Sequence, residues 1–375
     1  MDVALLRAVG LYDPGSPTAA DRLALLEYLD GRGATVHQMV DADAEGVLFA
    51  LSSHLAAFGP VDRIPLREVA ARSQTSVDRI RRLMLAQGIP VDDETMLAVS
   101  VVEDAAAFET AMAMFGDEAT LAFTRVMGAS VARIVDAAIS LFYGEVSPTM
   151  PTDATELERA RINERAGAVF ALLPSVITHL LEQCFRDTSV RAATSRGDAV
   201  GQTVTVGIGF VDLVGSTQWA GHLSLKEHAL ALARFESAAW DIATGLGGRV
   251  VKLIGDEAMI VAESPATACR IAVSLCAAVG SDAGLPAARA GVGFGEVTAR
   301  GGDYVGPLVN EVARSVKVAG EGEVVVTAEV RDRLPAGESW ATRDVGRHAL
   351  RGVDAPIRLF QVVEAAGGGG DGVIR

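Results

Sequence analysis

The chain has few cysteines and few aromatic residues. Among its 375 residues there are 3 cysteines, and aromatic residues make up only 5%. Cys184, Cys269 and Cys276 form no CxxC pair, so neither a disulfide framework nor a cysteine zinc site is expected. The sequence also shows no cationic, apolar leader at Met1. These absences predict a protein of a reducing compartment, with a cytoplasmic location.

Basic side chains are also scarce relative to acidic ones. The chain carries 33 lysines and arginines against 48 aspartates and glutamates, a formal net charge of −15. Broad binding to nucleic acid depends on cations that neutralise phosphates. We therefore expect no nucleic-acid partner, and any nucleotide site must be built locally by metal ions and a few placed cations.

A long uninterrupted apolar run is missing as well. The strongest candidate, residues 166–181, is interrupted by Pro174, Ser175, Thr178 and His179. It is shorter than the roughly 20 apolar residues of a membrane-spanning helix. We therefore expect no membrane span. The length instead favours two globular domains, and the 50% of hydrophobic residues are enough for a core in each.

The residues that are present form two patterns. Apolar residues at three-to-four spacing predict an all-α domain over residues 1–190. Near its end, Pro174 predicts a break between two helices, the second running from Pro174 to about Phe185. Residues 191–202 are small and polar and are predicted to be a linker. Residues 365–375 are rich in glycine and are predicted to be a disordered tail.

Residues 64–88 have the outline of a helix-turn-helix. Residues 73–75 would form the turn, and Arg79, Arg81 and Arg82 would lie on the second helix. One reading is a DNA-binding regulator, and the other is a helical hairpin in a packed bundle, which the acidic composition favours. A second open alternative is a lipid-binding module that uses the surface of residues 166–181.

Residues 203–364 form the second pattern, in which two aspartates end apolar strands. Alternating apolar residues over 204–210 predict a buried strand that ends at Asp212. The β-branched strand 250–254 leads into Gly255-Asp256, which is typical of a hairpin turn. Mg²⁺ and Mn²⁺ take oxygen ligands and share carboxylates with substrate phosphates. The two aspartates therefore predict a two-metal site for phosphoryl transfer.

The predicted elements after residue 203 follow the order strand, helix, strand, strand, helix, strand. This βαββαβ order is typical of a ferredoxin-like domain, an antiparallel sheet covered by helices on one face. The expected fold class is therefore α+β, with an all-α domain followed by a ferredoxin-like domain.

Three stretches within residues 203–363 resemble the catalytic domain of the class III adenylyl cyclases. They are Phe-Val-Asp-Leu-Val-Gly-Ser at 210–216, Lys252 four residues before Asp256, and Gly-Asp-Tyr-Val-Gly-Pro-Leu-Val-Asn-Glu-Val-Ala-Arg at 302–314. The resemblance implies conversion of ATP to cyclic AMP and pyrophosphate. It also implies two Mg²⁺ or Mn²⁺ ions per active site, held by Asp212 and Asp256.

The resemblance implies roles for five further residues. Lys252 and Asp303 would recognise the adenine ring, Asn310 and Arg314 would act on the transition state, and Arg351 would bind the terminal phosphates. A lysine that donates to N1 and a carboxylate that accepts from the N6 amino group suit adenine, whereas guanine presents the opposite pattern. A permanent planar cation such as Arg314 suits the charge that grows on the α-phosphoryl oxygens.

In this family the metal aspartates and the other site residues come from opposite subunits, which implies a homodimer with two equivalent sites. Along its whole length the chain resembles the pH-regulated enzymes of actinobacteria. In these enzymes a helical N-terminal domain inhibits catalysis at neutral pH and carries a fatty-acid site. Histidine titrates in this range, and His179, close to Glu182 in the helix that leads to the catalytic domain, is our candidate sensor. The alternative is a DNA- or lipid-binding regulator with a degenerate, nucleotide-sensing cyclase domain.

Overall fold

A computed structural model describes residues 1–194, 203–335 and 340–364. The chain forms two compact units, Met1–Thr194 and Ser195–Arg375. Most of the predicted linker, residues 195–202, and all of the predicted tail, residues 365–375, lie outside the described residues.

The N-terminal unit is built mainly of helices. Their bounds are α1 Val3–Ala8, α2 Ala19–Gly31, α3 Val36–Ala44, α4 Leu51–Phe58, α5 Leu66–Ser73, α6 Val77–Ala86, α7 Val101–Phe115, α8 Asp117–Leu141, α9 Glu156–Phe170 and α10 Leu173–Thr194. Short 3-10 turns lie at Leu48–Ala50 and Ser147–Thr149, and a π-helical turn follows α8 at Phe142–Val146. Polar side chains cap several of the helices. The Thr35 and Thr155 hydroxyls, for example, begin α3 and α9 with full capping boxes.

The all-α prediction misses a small ribbon in this unit. Strand β1 (Arg63–Pro65) pairs antiparallel with β2 (Met96–Ala98) and brackets the α5 and α6 hairpin. Three-residue strands are too short to show an alternating pattern, so the sequence gives no signal for them.

The predicted break at Pro174 is present, although the second helix is longer than expected. Helix α9 ends at Phe170 and α10 begins at Leu173, which places Pro174 in the first turn, where its missing N–H costs nothing. Helix α10 then continues to Thr194 rather than ending near Phe185. The first residues of the predicted linker, 191–194, are therefore helical.

Helices α4 and α9 cross at very close range. A Cβ atom on Gly167 would lie only 2.2 Å from the Ser53 carbonyl oxygen. Beside this contact, the buried Ser52 hydroxyl donates a hydrogen bond of 2.7 Å to the Ala160 carbonyl oxygen. The close approach requires small residues where the two helices cross. The crossing lies next to the apolar core that α1 to α4 form with Ala160 of α9.

Two helical stretches, Asp117–Thr149 and Glu156–Ser189, are long and apolar enough to qualify as membrane spans by length and composition. Their apolar windows are 0% buried within the chain. Arg133 and Asp136 lie in the middle of the first stretch, and the second contains the break before Pro174. Mid-helix charges of this kind are costly in lipid, which weighs against a membrane span.

The α5 and α6 hairpin has helix-turn-helix geometry, but two of its three predicted DNA-facing arginines pair with carboxylates of the protein itself. Gln74 in the turn adopts a left-handed conformation with φ of 56°. Arg79 forms ion pairs with Glu109 and Asp117, and Arg81 does so with Asp78 and Asp93. These partners neutralise the cations that a DNA backbone would require, which favours the packed helical hairpin.

The second unit contains a mixed sheet with helices. Its elements are β3 Thr203–Leu213, α11 Ser216–Ala220, α12 Leu225–Gly245, β4 Arg249–Ile254, β5 Glu257–Ala262, α13 Pro265–Ser281, β6 Ala288–Arg300, β7 Asp303–Val305, α14 Pro307–Ser315, β8 Val324–Thr327, α15 Ala328–Arg333, β9 Trp340–His348 and β10 Ile357–Glu364.

The strand order in this sheet is β4-β5-β3-β6-β8-β10-β9, with β7 paired to β6. The first four strands are antiparallel neighbours in the ferredoxin-like order, as predicted. Strand β8 then adds parallel to β6, and β10 and β9 extend the sheet in antiparallel fashion.

Helices cover both faces of this sheet, whereas the sequence led us to expect one covered face. Helices α12 and α13 pack on the main core, around residues such as Phe235 and Ile260. Helix α14 packs on the opposite face, against Ile208 and Phe210 of β3 and Met259 of β5. Because side chains alternate along a strand, Asp212 shares this second face, which we call the α14 face, with Ile208 and Phe210.

Candidate active site

The two predicted metal aspartates meet at one end of the sheet. Asp212 lies opposite Glu257 in the pairing of β3 with β5, and the Leu213 amide donates a hydrogen bond of 3.2 Å to the Asp256 carbonyl oxygen. The turn before Asp256 needs Gly255, whose φ is 63°. The strand pairing and the turn therefore bring together two carboxylates that are 44 positions apart in the sequence.

Each aspartate side chain is held through one oxygen. Arg289 of β6 donates to Asp212 Oδ2 from Nε at 3.1 Å and from Nη2 at 2.8 Å. The Ser216 hydroxyl, at the start of α11, donates to Asp256 Oδ2. Over the described ranges, neither Oδ1 atom has a hydrogen-bond partner. Each carboxylate is thus fixed on one side and keeps a free oxygen on the other.

Glu257 adds a third carboxyl group to this end of the sheet. Burial, and then the negative charges of Asp212 and Asp256, raises the pKa of Glu257 to about 7. Its Oε1 atom is buried and has no hydrogen-bond partner among the described residues. The nearby cations Lys317 and Arg289 act in the opposite direction and lower the pKa of Glu257 in part.

This donor set fits divalent ions that are completed by a substrate. In the described part of the chain, no group of three or more metal-binding side chains is arranged to hold a metal ion by itself. Mg²⁺ commonly binds to one or two carboxylates and takes its remaining ligands from water and substrate phosphates. Free oxygens on Asp212 and Asp256, together with an unpaired carboxyl oxygen beside them, match that requirement.

Lys252 and Asp303 also come together, although β4 and β7 are not neighbours in the sheet. Lys252 Nζ lies 2.5 Å from Asp303 Oδ2, and Asp303 Oδ1 accepts a hydrogen bond of 2.8 Å from the Tyr304 amide. Both side chains are about one third exposed, at 37% each. A donor and an acceptor therefore stand side by side at the surface, as base recognition requires.

The other predicted residues lie on α14 and on the loop after β9. Asn310 lines an open cleft of about 640 Å³ together with Gly306, Pro307, Glu311 and residues 352–357. On the same helix, the Arg314 guanidinium lies beside Gly352, since a Cβ there would be 3.6 Å from Arg314 Nη2. The chain thus brings the loop that carries Arg351 next to Arg314.

Within one chain these residues fall into three clusters: the two aspartates, the pair of Lys252 and Asp303, and the residues around Asn310 and Arg314. In the described ranges, no hydrogen bond or ion pair joins the Asp212 and Asp256 pair to the Lys252 and Asp303 pair, or to Asn310 and Arg314. The cleft at Asn310 also contains neither aspartate in its lining.

The regulatory candidate His179 is exposed on α10. Its expected neighbour Glu182 instead pairs with Arg186, one helical turn further on, at 3.4 Å. Glutamate at i and arginine at i+4 form a favourable pair, which explains the choice of partner.

Our sequence analysis missed Arg289 and Glu257. Arg289 is the charged residue in the otherwise small and apolar first part of β6, residues 288–295, and it lies opposite Asp212 in the pairing with β3. That break in the pattern was the available signal. Glu257 follows Asp256 directly, and its burial depends on the pairing of β3 with β5, which the sequence does not reveal.

Comparison with known proteins gives the family. Residues 9–189 match the model of the adenylate cyclase regulatory domain. The chain is 33% identical over 368 residues to an uncharacterized protein of Mycobacterium tuberculosis, covering 96% of this chain and 94% of the relative. It is 28% identical over 376 residues to the pH-sensitive adenylate cyclase of the same species, covering 96% of this chain and 93% of that enzyme.

Among solved structures, an adenylyl cyclase from P. aeruginosa aligns over 44% of this chain and 95% of its own, with a TM-score of 0.39 and 20% identity. The regulatory-domain match and the full-length relatives define the class as regulated nucleotide cyclases. The chain belongs to the family of class III adenylate cyclases that carry an N-terminal adenylate cyclase regulatory domain.

Proposed function

We propose that this protein is an adenylate cyclase that converts ATP to 3′,5′-cyclic AMP and pyrophosphate. The observation that carries the proposal is the contact between Lys252 Nζ and Asp303 Oδ2, a donor and an acceptor 51 positions apart in the sequence. Together they match the N1 and N6 edge of adenine. Several relatives that align with this chain are named adenylate cyclases, including those of M. tuberculosis and Streptomyces coelicolor.

Asp212 and Asp256 would hold two Mg²⁺ or Mn²⁺ ions through their free oxygens. When bound, such ions neutralise the phosphates and lower the pKa of the ribose 3′-hydroxyl. In the reaction this oxygen attacks the α-phosphorus, the bond to the β-phosphate oxygen breaks, and the hydroxyl proton is lost to solvent. The nucleophile is already tethered, so alignment and charge neutralisation are the enzyme's main tasks.

The remaining residues would provide that alignment. Asn310 would orient the ribose without adding charge, and Arg314 would stabilise the charge that develops on the α-phosphoryl group. Arg351 would bind the terminal phosphates that leave as pyrophosphate. The proximity of Gly352 to the Arg314 guanidinium supports placing these two arginines on one substrate.

We further propose that the active enzyme is a homodimer with two shared sites. Over the described residues, one chain offers a metal-binding pair, a base-binding pair and a phosphate-binding cluster that no hydrogen bond or ion pair joins together. A twofold pair in which each group faces its complement would complete both sites. Exposed apolar side chains on α8 and α10, such as Ile139, Leu181 and Phe185, give a surface that a second copy would cover.

The N-terminal unit would regulate the enzyme, with pH-dependent inhibition as the proposed mode. The match to the adenylate cyclase regulatory domain supports a regulatory role, and one full-length relative is named pH-sensitive. The fatty-acid site implied by the resemblance gains no support from these relatives, whose names mention no lipid.

The test is direct. Purified protein incubated with ATP and Mn²⁺ should form cyclic AMP and pyrophosphate in equal amounts at some pH between about 5.5 and 8. Asp212→Ala should abolish the product, and Arg270→Gln, an exposed change on α13, should not. Absence of cyclic AMP across this range would refute the proposal.

A further inference from the structure

Lys252 faces the active site because strand β4 contains a bulge. The pairing of β4 with β5 shifts register between Val250 and Lys252, so Val251 is the extra residue. Val250 packs into the main core, whereas Val251 packs on the α14 face. In a regular strand Lys252 would point the same way as Val250, into the core, and the bulge turns it to the α14 face instead.

Lys252 and Asp303 lie on strands that are not paired directly with each other. Strand β4 is the edge of the sheet, and β5, β3 and β6 lie between it and β7. Asp303 directly follows a two-glycine turn, in which Gly301 and Gly302 have positive φ values of 60° and 82°. The relative position of the donor and the acceptor must therefore be set by side chains.

One pair of side chains bridges the same two strands. Arg249 Nη2 donates a hydrogen bond of 2.7 Å to the Tyr304 hydroxyl, and the Arg249 guanidinium carbon lies 5.3 Å from the centre of the Tyr304 ring. Arg249 is three positions before Lys252, and Tyr304 directly follows Asp303. The Tyr304 ring also packs on the α14 face with Val251. A second link thus runs parallel to the contact between Lys252 and Asp303.

We propose that Arg249 and Tyr304 are positioning residues that set the spacing of Lys252 and Asp303 and so determine base selectivity. This inference rests on the proposed function. Packing alone would explain the Tyr304 ring, but it would not need the hydroxyl or the guanidinium. Those polar atoms bind each other between β4 and the hairpin of β6 and β7, which share no strand pairing in the described sheet. Adenine selection requires both hydrogen bonds at once, so a loosened pair should lose selectivity before it loses chemistry.

The experiment compares Tyr304→Phe, Arg249→Gln and the double variant with wild type. Steady-state rates with ATP and GTP give the ratio of kcat/KM values for the two nucleotides. Displacement of a fluorescent ATP analogue by ATP or GTP measures base selection without turnover. We expect each single variant to lower the ATP-to-GTP ratio by about fivefold to tenfold, mainly through KM for ATP. The double variant should be no worse than either single one, because the two residues act as one link.

Matched controls are Tyr143→Phe and Arg270→Gln, which remove the same groups at exposed positions. Arg249→Lys, which keeps a donor, should restore part of the selectivity. Thermal unfolding of every variant separates a loss of folding from a change in selectivity. Unchanged ATP-to-GTP ratios in folded Tyr304→Phe and Arg249→Gln, or additive losses in the double variant, would refute the inference. If wild-type protein bound ATP selectively but formed no cyclic AMP, only the proposed function would be refuted. The ratio of ATP to GTP binding in the variants would still test the positioning role of Arg249 and Tyr304.

Discussion

Arg289 donates two hydrogen bonds to a single carboxylate oxygen of Asp212, with Nε at 3.1 Å and Nη2 at 2.8 Å from Oδ2. The arginine side chain is 22% exposed and the aspartate 17%, so the pair is largely removed from water. The contact restrains the Asp212 side chain, and Oδ1 has no hydrogen-bond partner among the described residues. It also offsets part of the repulsion among three neighbouring carboxyl groups.

Replacing Arg289 should therefore harm both stability and activity. Arg289→Gln leaves a buried carboxylate without its cation and should lower the free energy of unfolding by about 1 to 3 kcal/mol. Cyclic AMP formation should fall by about tenfold or more because Asp212 is no longer held in place. Arg289→Lys keeps the charge but not the two-point contact, so its stability and activity should lie between those of wild type and Arg289→Gln. Urea unfolding and cyclase assays measure these effects, and wild-type behaviour of Arg289→Gln in both would contradict the assigned role.

The close crossing of α4 and α9 predicts a severe effect from a small change. Gly167→Ala would place a methyl group 2.2 Å from the Ser53 carbonyl oxygen, so the helices must move apart. The expected loss is about 1 to 3 kcal/mol of unfolding free energy. Gly31→Ala, at the end of α2 with no atom within 4 Å of the added methyl, is the matched control and should be neutral or slightly stabilising. Equal melting temperatures for the two variants would show that the crossing is looser than described.

His54, on α4, gives the N-terminal unit an acid-sensitive contact. Burial, and then the charge of Arg63, lowers the pKa of the His54 imidazole below its ordinary value. The unfolded chain therefore takes up a proton on this group at a higher pH than the folded chain does. At pH values well above the ordinary histidine pKa, this group does not affect the folding stability. Stability is lost as the pH falls through that ordinary pKa. Acid thus weakens the packing of this unit, the direction needed if the unit inhibits catalysis at neutral pH.

Substitution of His54 tests that sign. His54→Gln should reduce the fall in melting temperature between pH 7.5 and 5.5 by about 1 to 2 °C, a small effect because the ring is only half-buried. His37→Gln is the control, since His37 is 82% exposed beside Asp41. If both variants changed the pH dependence equally, His54 would have no special part in it.

Much of the second unit could be predicted from its sequence, since strand periods and the Gly255-Asp256 turn are local signals. The antiparallel core from β3 to β6 follows directly from them. The bulge at Val251 could not be predicted, because it depends on how β4 registers with β5. The positions of Arg289 and Glu257 beside Asp212 could not be predicted for the same reason, since they depend on which strands pair and in which register. In the first unit, residues 191–202 were predicted to be a linker, yet residues 191–194 continue α10, because arginine and alanine favour helices.

Base recognition by Lys252 and Asp303 predicts a change of substrate. Glutamate in place of Lys252 would accept hydrogen bonds where adenine needs a donor, and cysteine in place of Asp303 would remove the carboxylate acceptor. Lys252→Glu with Asp303→Cys should lower kcat/KM for ATP by about a hundredfold, because both adenine contacts are lost. The ratio of GTP to ATP use should rise, as measured by cyclic nucleotide formation from each. An ATP rate within a few-fold of wild type would show that these two residues do not read the base.

The shared-site proposal makes a quantitative prediction for mixed subunits. Asp212→Ala removes one group of site residues and Asn310→Ala removes the other, so each variant alone should be inactive. After subunit exchange at equal amounts, half of the dimers contain one chain of each kind, and each such dimer has one intact site. Activity should therefore recover to about a quarter of the wild-type value. Differently tagged chains that co-purify would verify the exchange independently of activity. If exchange is complete and no activity returns, the two groups of residues must serve one chain, and the homodimer site proposed here would be wrong.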